Sequence, residues 1–250
     1  MDADSPYFAA LVELHRGLER KGPGDAAFTR ELLLHLPALP SPPRIADLGC
    51  GSGAGALLLA RHFQARVVAV DASAVFIEEL RDRVREAGLG PLLEPVVADI
   101  GALDWPPGST DLLWSEGAAC LLGFERVLSL WRPLLARGGV AVVSELTWLE
   151  AAPPAEPLAY WREAYPGMGS EAQNVERARR AGYEVIATRR LPAESWWKNY
   201  YDPLRERLDR LAPTPALAAV AAETAREMAL FERFSGSYGY VFYVLRERRT

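Results

Sequence analysis

The sequence predicts an α/β fold in which a mostly parallel sheet carries helices on both faces, and three observations support it. The apolar run Ile45-Ala46-Asp47-Leu48 opens into a loop with glycines at 49, 51, 53 and 55, and Leu57-Leu58-Leu59-Ala60 follows at helical spacing. The loop is therefore a strand-to-helix turn. Two further apolar runs, Arg66 to Asp71 and Leu92 to Asp99, each end in an acid. Strands alternating with helical stretches make a parallel sheet, and polar residues at three strand ends fall along one edge of it. Open α/β sheets bind ligands at that edge.

Taken in order, residues 5 to 36 read as two helices separated by Arg20-Lys21-Gly22-Pro23-Gly24, with Phe8, Leu11, Leu14 and Leu18 on one face and Phe28, Leu32, Leu33 and Leu36 on another. Pro37 to Pro43 carries four prolines in seven residues and is a linker. After the second strand, Ser73 suits an N-cap and Gly88 a stop for a helix striped by Phe76, Leu80, Val84 and Ala87. Thr110 to Ser115 is a fourth strand, about Gly123 to Leu135 a helix, and Val140 to Ser144 a fifth strand delivering Glu145 to the ligand edge. From Leu146 to Ser170 the pattern breaks into prolines and aromatics, which reads as an inserted lid. A helix from Glu171, a strand from Tyr183 to Thr188, helices near 203–211 and 215–234 and a last strand, Tyr238 to Leu245, complete the chain. Arg246-Glu247-Arg248-Arg249 reads as a frayed, solvated tail.

At 250 residues, half of them hydrophobic and 24% charged, the chain can bury a full core as one enlarged domain over 1–250. Its parts are a helical cap and linker over 1–43, a core over 44–145, and insertions over 146–170 and 192–236. The formal charge of −5 disfavours nucleic acid and anionic membranes as partners. Two cysteines without a C-x-x-C partner or nearby histidine cluster indicate neither a disulfide framework nor a metal site. The acidic N-terminus lacks a signal-peptide pattern, so the expected location is the cytoplasm, with a homodimer as the assembly left open.

The glycine loop admits three readings: a tight turn with no ligand, a dinucleotide site with G-x-G-x-x-G spacing, and an S-adenosylmethionine site, where an acid precedes G-x-G-x-G. The row Gly49-Cys50-Gly51-Ser52-Gly53-Ala54-Gly55 matches the last better. With the segments DLGCGSG, VDAS and ADI in that order, the chain resembles the class I S-adenosylmethionine-dependent methyltransferases. The Arg-Gly-Gly turn before strand five also resembles the family, and the Arg-x-Gly-Pro-Gly turn with the Ser-Glu-Gly-Ala, Ser-Glu-Leu-Thr-Trp, Ala-Tyr-Pro and Trp-Trp segments resembles a bacterial small-molecule subgroup of it. The resemblance implies a Rossmann-like, seven-stranded, mostly parallel sheet with N-terminal helices and two inserted lid segments. It also implies S-adenosyl-L-methionine as cofactor and S-adenosyl-L-homocysteine as product. By that match Asp47, Gly49, Gly51 and Gly53 hold the methionine part, Asp71 the ribose, and Asp99 and Ile100 the adenine. Cys50, Ala72, Ser115 and Arg20 complete the cofactor side.

On the acceptor side the sequence departs from one family pattern. The Asn-Pro-Pro-Tyr-type motif of many amide and adenine N-methyltransferases would begin near Glu116, where this chain has Ser-Glu-Gly-Ala. Methyl transfer from a sulfonium is an in-line displacement needing a base only when the acceptor must lose a proton. Glu116, Glu145 and His15 are the candidates, each with a bland alternative: the two acids as caps or loop ligands, His15 as a surface residue. Tyr7, Trp148, Tyr160, Trp161, Tyr165, Trp196, Trp197 and Tyr200 give an aromatic acceptor pocket, or fill the interface between insertion and sheet. A small organic acceptor is expected. The competing functions are a non-catalytic S-adenosylmethionine-binding sensor and an NAD(P)-dependent oxidoreductase.

Overall fold

The computed structural model describes residues 5–212 and 214–248. Two helices, α1 (Pro6–His15) and α2 (Ala26–Leu34), precede β1 (Ile45–Leu48), α3 (Ala54–Phe63), β2 (Val67–Asp71), α4 (Ala74–Glu86), β3 (Leu93–Val97) and β4 (Thr110–Ser115). Then come α5 (Phe124–Trp131), β5 (Leu135–Trp148), α6 (Ala155–Ala164), the two-residue β6 (Gly169–Ser170), α7 (Glu171–Arg180) and β7 (Tyr183–Arg190). The chain closes with α8 (Ala193–Trp196), a π-helical turn over 197–201, α9 (Asp202–Leu208), α10 (Pro215–Phe234) and β8 (Tyr238–Glu247).

The sheet runs β3-β2-β1-β4-β5-β8-β7, with β6 beside β5. Strands β3 to β5 are mutually parallel and β8 is antiparallel to both of its neighbours. The expected seven strands are all present, and β6 is a short addition. Strand order reverses between β1 and β4, so the glycine loop and the β4 end flank a topological switch point, where such sheets open a ligand crevice. Both faces of β1 and β4 are buried because helices cover both sides.

Helix starts follow local chemistry. Ser5, Asp25, Ser73 and Thr214 each accept a backbone N–H as N-cap, and Ser170 forms a capping box with Gln173. α3, like α5, starts on a glycine: its N-cap is Gly53, which has no side chain to offer. The buried Asp47 of β1 supplies the missing acceptor, receiving the Ala56 N–H.

Three sequence expectations change. β5 begins at Leu135 and takes in the Arg137-Gly138-Gly139 turn: Thr110 pairs with Leu135 but Leu112 with Val140, so that stretch bulges out of register. It also runs on through Trp148, which pairs with Tyr238 as a strand residue and is not part of an irregular lid. The tail is not frayed as far as it is described, because Arg246 pairs with Glu184 and Glu247 with Arg132. Arg249 lies outside the described residues. Among the described residues no helix is long and apolar enough to cross a membrane.

Candidate cofactor and acceptor site

The glycines of the loop are needed for different reasons. Three of the four sit at positive φ, +76° at Gly49, +53° at Gly51 and +84° at Gly53. A Cβ on Gly49 would overlap Ala118 in the loop after β4, and one on Gly51 would stand 2.8 Å from Lys21 Cγ. Gly53 instead faces Leu80 of α4, with which a side chain would collide. Gly49 and Gly51 therefore let backbone approach the switch-point crevice, whereas Gly53 lets two helices pack. The loop hangs from β2, since the N–H groups of Gly49 and Cys50 both donate to the Val70 carbonyl.

Asp71, at the end of β2, accepts from the Gly51 N–H at 2.9 Å and the Ser73 N–H at 2.8 Å. Burial raises its pKa, against the pull of those two N–H groups and of Lys21. Asp47 lies deeper, 2% exposed, and its pKa is driven well above the carboxylate range by burial and by the charges of Glu116 and Asp71. It organises the loop and helix from behind. Asp99 is exposed and holds a turn by accepting the Gly101 N–H at 2.8 Å, while Ile100 is buried with its Cδ1 against Gly49. Ala72 is exposed beside Asp71, and Cys50 is half-buried with its thiol pKa raised by burial. Ser115 is fully buried and its hydroxyl donates to the Leu48 carbonyl at 2.8 Å, which ties β4 to β1.

Arg20 and Lys21, from the Arg-Lys-Gly-Pro-Gly turn, close over this edge. Arg20 is no solvated helix end, because its Nη1 donates to Glu116 at 2.8 Å with both side chains largely buried. Glu116 also accepts from Trp114 Nε1 at 2.9 Å and Thr29 Oγ1 at 3.2 Å. Three donors from three elements make it the knot between cap and sheet; as a base it would have to break that knot. Lys21 donates to Glu79 at 2.6 Å and to the His15 and Leu18 carbonyls, and its ammonium lies 4.6 Å from the centre of the Phe76 ring. Sequence reading passed over Lys21, although it adjoins Arg20 in the same turn.

The acceptor-side residues divide. His15 is buried, not superficial, and burial lowers its pKa to about 4. Its Nδ1 lies 2.7 Å from the Leu11 carbonyl, which can only accept, so Nδ1 carries the proton and Nε2 accepts from Tyr200 Oη at 3.0 Å. That lone pair is occupied by Tyr200. Trp148, Trp161 and Trp196 fill the core between sheet, α6 and α10: Trp196 stacks on Phe231 with centroids 4.4 Å apart, and Trp148 and Trp161 both meet Tyr238 edge-on. Trp197 is half-buried beneath Arg205. Tyr7 donates to Glu223 at 2.5 Å, Tyr160 packs on Trp161, and the Tyr165 hydroxyl faces Glu145.

Glu145 is the outlier. It is 0% exposed, and neither carboxyl oxygen has a hydrogen-bond partner among the described residues. Burial pushes its pKa up to about 8, partly countered by Arg177 and by the Tyr165 hydroxyl, which stands outside a well-formed hydrogen bond. Strand pairing with Val241 puts it on the sheet face of Tyr243, and its charge adds to the burial that raises the Cys120 thiol. A carboxyl held protonated in the fold stabilises it fully below the unfolded pKa, near 4.5, and that stability is lost as pH rises through about 8. Glu145→Gln is therefore expected to raise the melting temperature at pH 9 more than at pH 5. Equal shifts at both pH values would show that the group does not titrate this way.

The sequence matches the family model described as a methyltransferase domain over residues 45–139. The trans-aconitate 2-methyltransferase of Escherichia coli O157:H7 (strain EC4115 / EHEC) is 30% identical over 195 residues, 75% of this chain and 69% of that one. That of Paracidovorax citrulli is 32% identical over 190 residues, 70% and 67% of the two. Among solved structures, the SAM-dependent methyltransferase from Geobacter sulfurreducens in complex with S-adenosyl-L-homocysteine shares the fold with a TM-score of 0.79 and 19% identity, covering 96% of this chain and 98% of that one. The [4+2]-cyclase SpnF shares it too, with a TM-score of 0.76, 21% identity and coverage of 97% and 94%. The chain belongs to the class I S-adenosylmethionine-dependent methyltransferases. S-adenosylmethionine is its cofactor and methyl transfer its activity, so the oxidoreductase alternative falls away.

Proposed function

We propose that this enzyme methylates a small organic acceptor held between the glycine loop and the segments 146–170 and 192–236, in the cytoplasm. The observation that carries the reading is the cradle at the switch point, where added side chains on Gly49 and Gly51 would collide with Ala118 and Lys21. Asp71 stands at its mouth with a carboxylate already aligned by two N–H groups. The cofactor, when bound, supplies an electrophilic methyl on a sulfonium.

The chain's own contribution is positional. Asp71 suits the ribose hydroxyls, Ile100 one face of the adenine and Asp99 its amino group. Asp47 fixes the loop through the α3 N-terminus, and the Arg20–Glu116 and Lys21–Glu79 pairs hold the cap down so that water is excluded. Two free cysteines with raised pKa suit a reducing compartment.

Asp71→Ala is expected to weaken S-adenosylmethionine binding by about 1–3 kcal/mol, the scale of hydrogen bonds to a charged group. Calorimetric titration reads this directly. An unchanged affinity would remove the ribose assignment.

A further inference from the structure

The glycine loop is faced by the short turn Glu116-Gly117-Ala118 that follows β4. Ala118 is the residue that a Cβ on Gly49 would overlap, so the turn and the glycine loop meet across the crevice. Two sets of bonds hold this turn. Glu116 is tied to the cap through Arg20 and Thr29, and to Trp114 of β4. Gly117 is tied to the far strands of the sheet: its N–H donates to Ser144 Oγ at 2.7 Å, and a Cβ on it would stand 3.4 Å from Tyr240 Oη.

Ser144 and Tyr240 reach the turn from one face of the sheet. Ser144 pairs with Phe242 and Leu146 with Tyr240, and side chains two residues apart on a strand share a face. Val142, Leu146, Tyr240 and Phe242 belong to the apolar core on that face. Ser144 is therefore a hydroxyl in an apolar row, 1% exposed, at a position where a valine would suit the strand better. The Gly117 N–H gives that hydroxyl a partner. Gly117 has φ of +72°, a backbone conformation open to a residue without a side chain, and this conformation brings its N–H onto β5.

We propose that Ser144 is a positioning residue for the cofactor: its hydroxyl fixes the Gly117 N–H and, through it, the Ala118 wall against the glycine loop. This rests on the reading of the switch-point crevice given above. No contact between Ser144 and cofactor or acceptor is needed. A buried N–H without an acceptor is costly, so a turn deprived of the hydroxyl shifts to arrangements in which water or another carbonyl takes that N–H. Cofactor affinity then falls in proportion to the fraction of molecules that keep the wall in place. The bonds to Glu116 do not replace this one, because they end on the preceding residue and Gly117, the freest residue of the turn, separates them from Ala118.

The test combines calorimetric titration with S-adenosyl-L-homocysteine and amide hydrogen exchange at Gly117, on the full chain and on Ser144→Ala, Ser144→Thr and Thr147→Val. Ser144→Ala is expected to weaken binding about tenfold and to speed Gly117 exchange by a similar factor, the scale of one buried hydrogen bond. Ser144→Thr keeps the hydroxyl and should recover most of both. Thr147, fully buried on the same strand but on the opposite face, uses its hydroxyl on the Glu145 carbonyl, so Thr147→Val should leave both readouts unchanged. Wild-type affinity retained in Ser144→Ala would overturn the proposal. So would a loss of affinity with Gly117 exchange unmoved, or an equal loss in Thr147→Val, which would trace the effect to a weakened β5. A wild-type chain that ignores S-adenosyl-L-homocysteine would overturn the reading of the crevice itself, and this proposal with it.

Discussion

Arg20→Ala is expected to destabilise the protein by about 3–5 kcal/mol, the usual cost of removing one partner from a buried ion pair. Arg20 and Glu116 are 9% and 12% exposed, so water cannot replace the lost guanidinium cheaply. Glu116 would keep the Trp114 and Thr29 donors but carry its charge without a cation. Because the pair joins the cap to the end of β4, the same variant should also loosen cofactor binding. Urea unfolding followed by tryptophan fluorescence measures the first effect and calorimetry the second. A loss below 1 kcal/mol would mean that solvent screens the pair after all.

Gly53→Val should cost a comparable amount for a different reason. The residue needs φ of +84°, which β-branched side chains strongly resist, and the new Cβ would collide with Leu80, itself fully buried. Backbone strain of about 1–3 kcal/mol and overpacking of about 1–3 kcal/mol add to roughly 2–6 kcal/mol. Gly88→Val separates the two terms, since Gly88 has φ of +64° but nothing within 4 Å of a Cβ. It should show the strain alone. If both variants unfold at the same urea concentration, the helix-packing role of Gly53 is wrong.

Much of the backbone geometry along the β1, β2 and glycine-loop edge was legible in the residues, because its signals are local. A glycine forced to positive φ, an acid closing an apolar run and a serine before a helix each act within a few residues of themselves, so Asp71, Ser73 and the glycine loop stand where their neighbours in sequence imply. The acceptor side was harder to read, because what matters there is the partner. His15 looked like a surface residue until α9 and the turn before it brought Tyr200 to its Nε2. Arg20 looked like a solvated charge until the β4 end met it. Glu227 sits in a long helix, and only the Tyr201 hydroxyl brought to its carboxylate at 2.6 Å singles it out.

The sequence by itself determined the strands and the glycine turn, since periodicity and turn chemistry are written residue by residue, and the resemblance of its motifs implied the cofactor class. Tertiary structure alone decided which acids are paired and which are not. Glu116 and Glu145 look alike as strand-end carboxylates in the sequence, yet among the described residues one gathers three donors and the other none. The difference is set by groups up to a hundred residues away, whose distance in space is fixed only when cap, lid and sheet close around a common core.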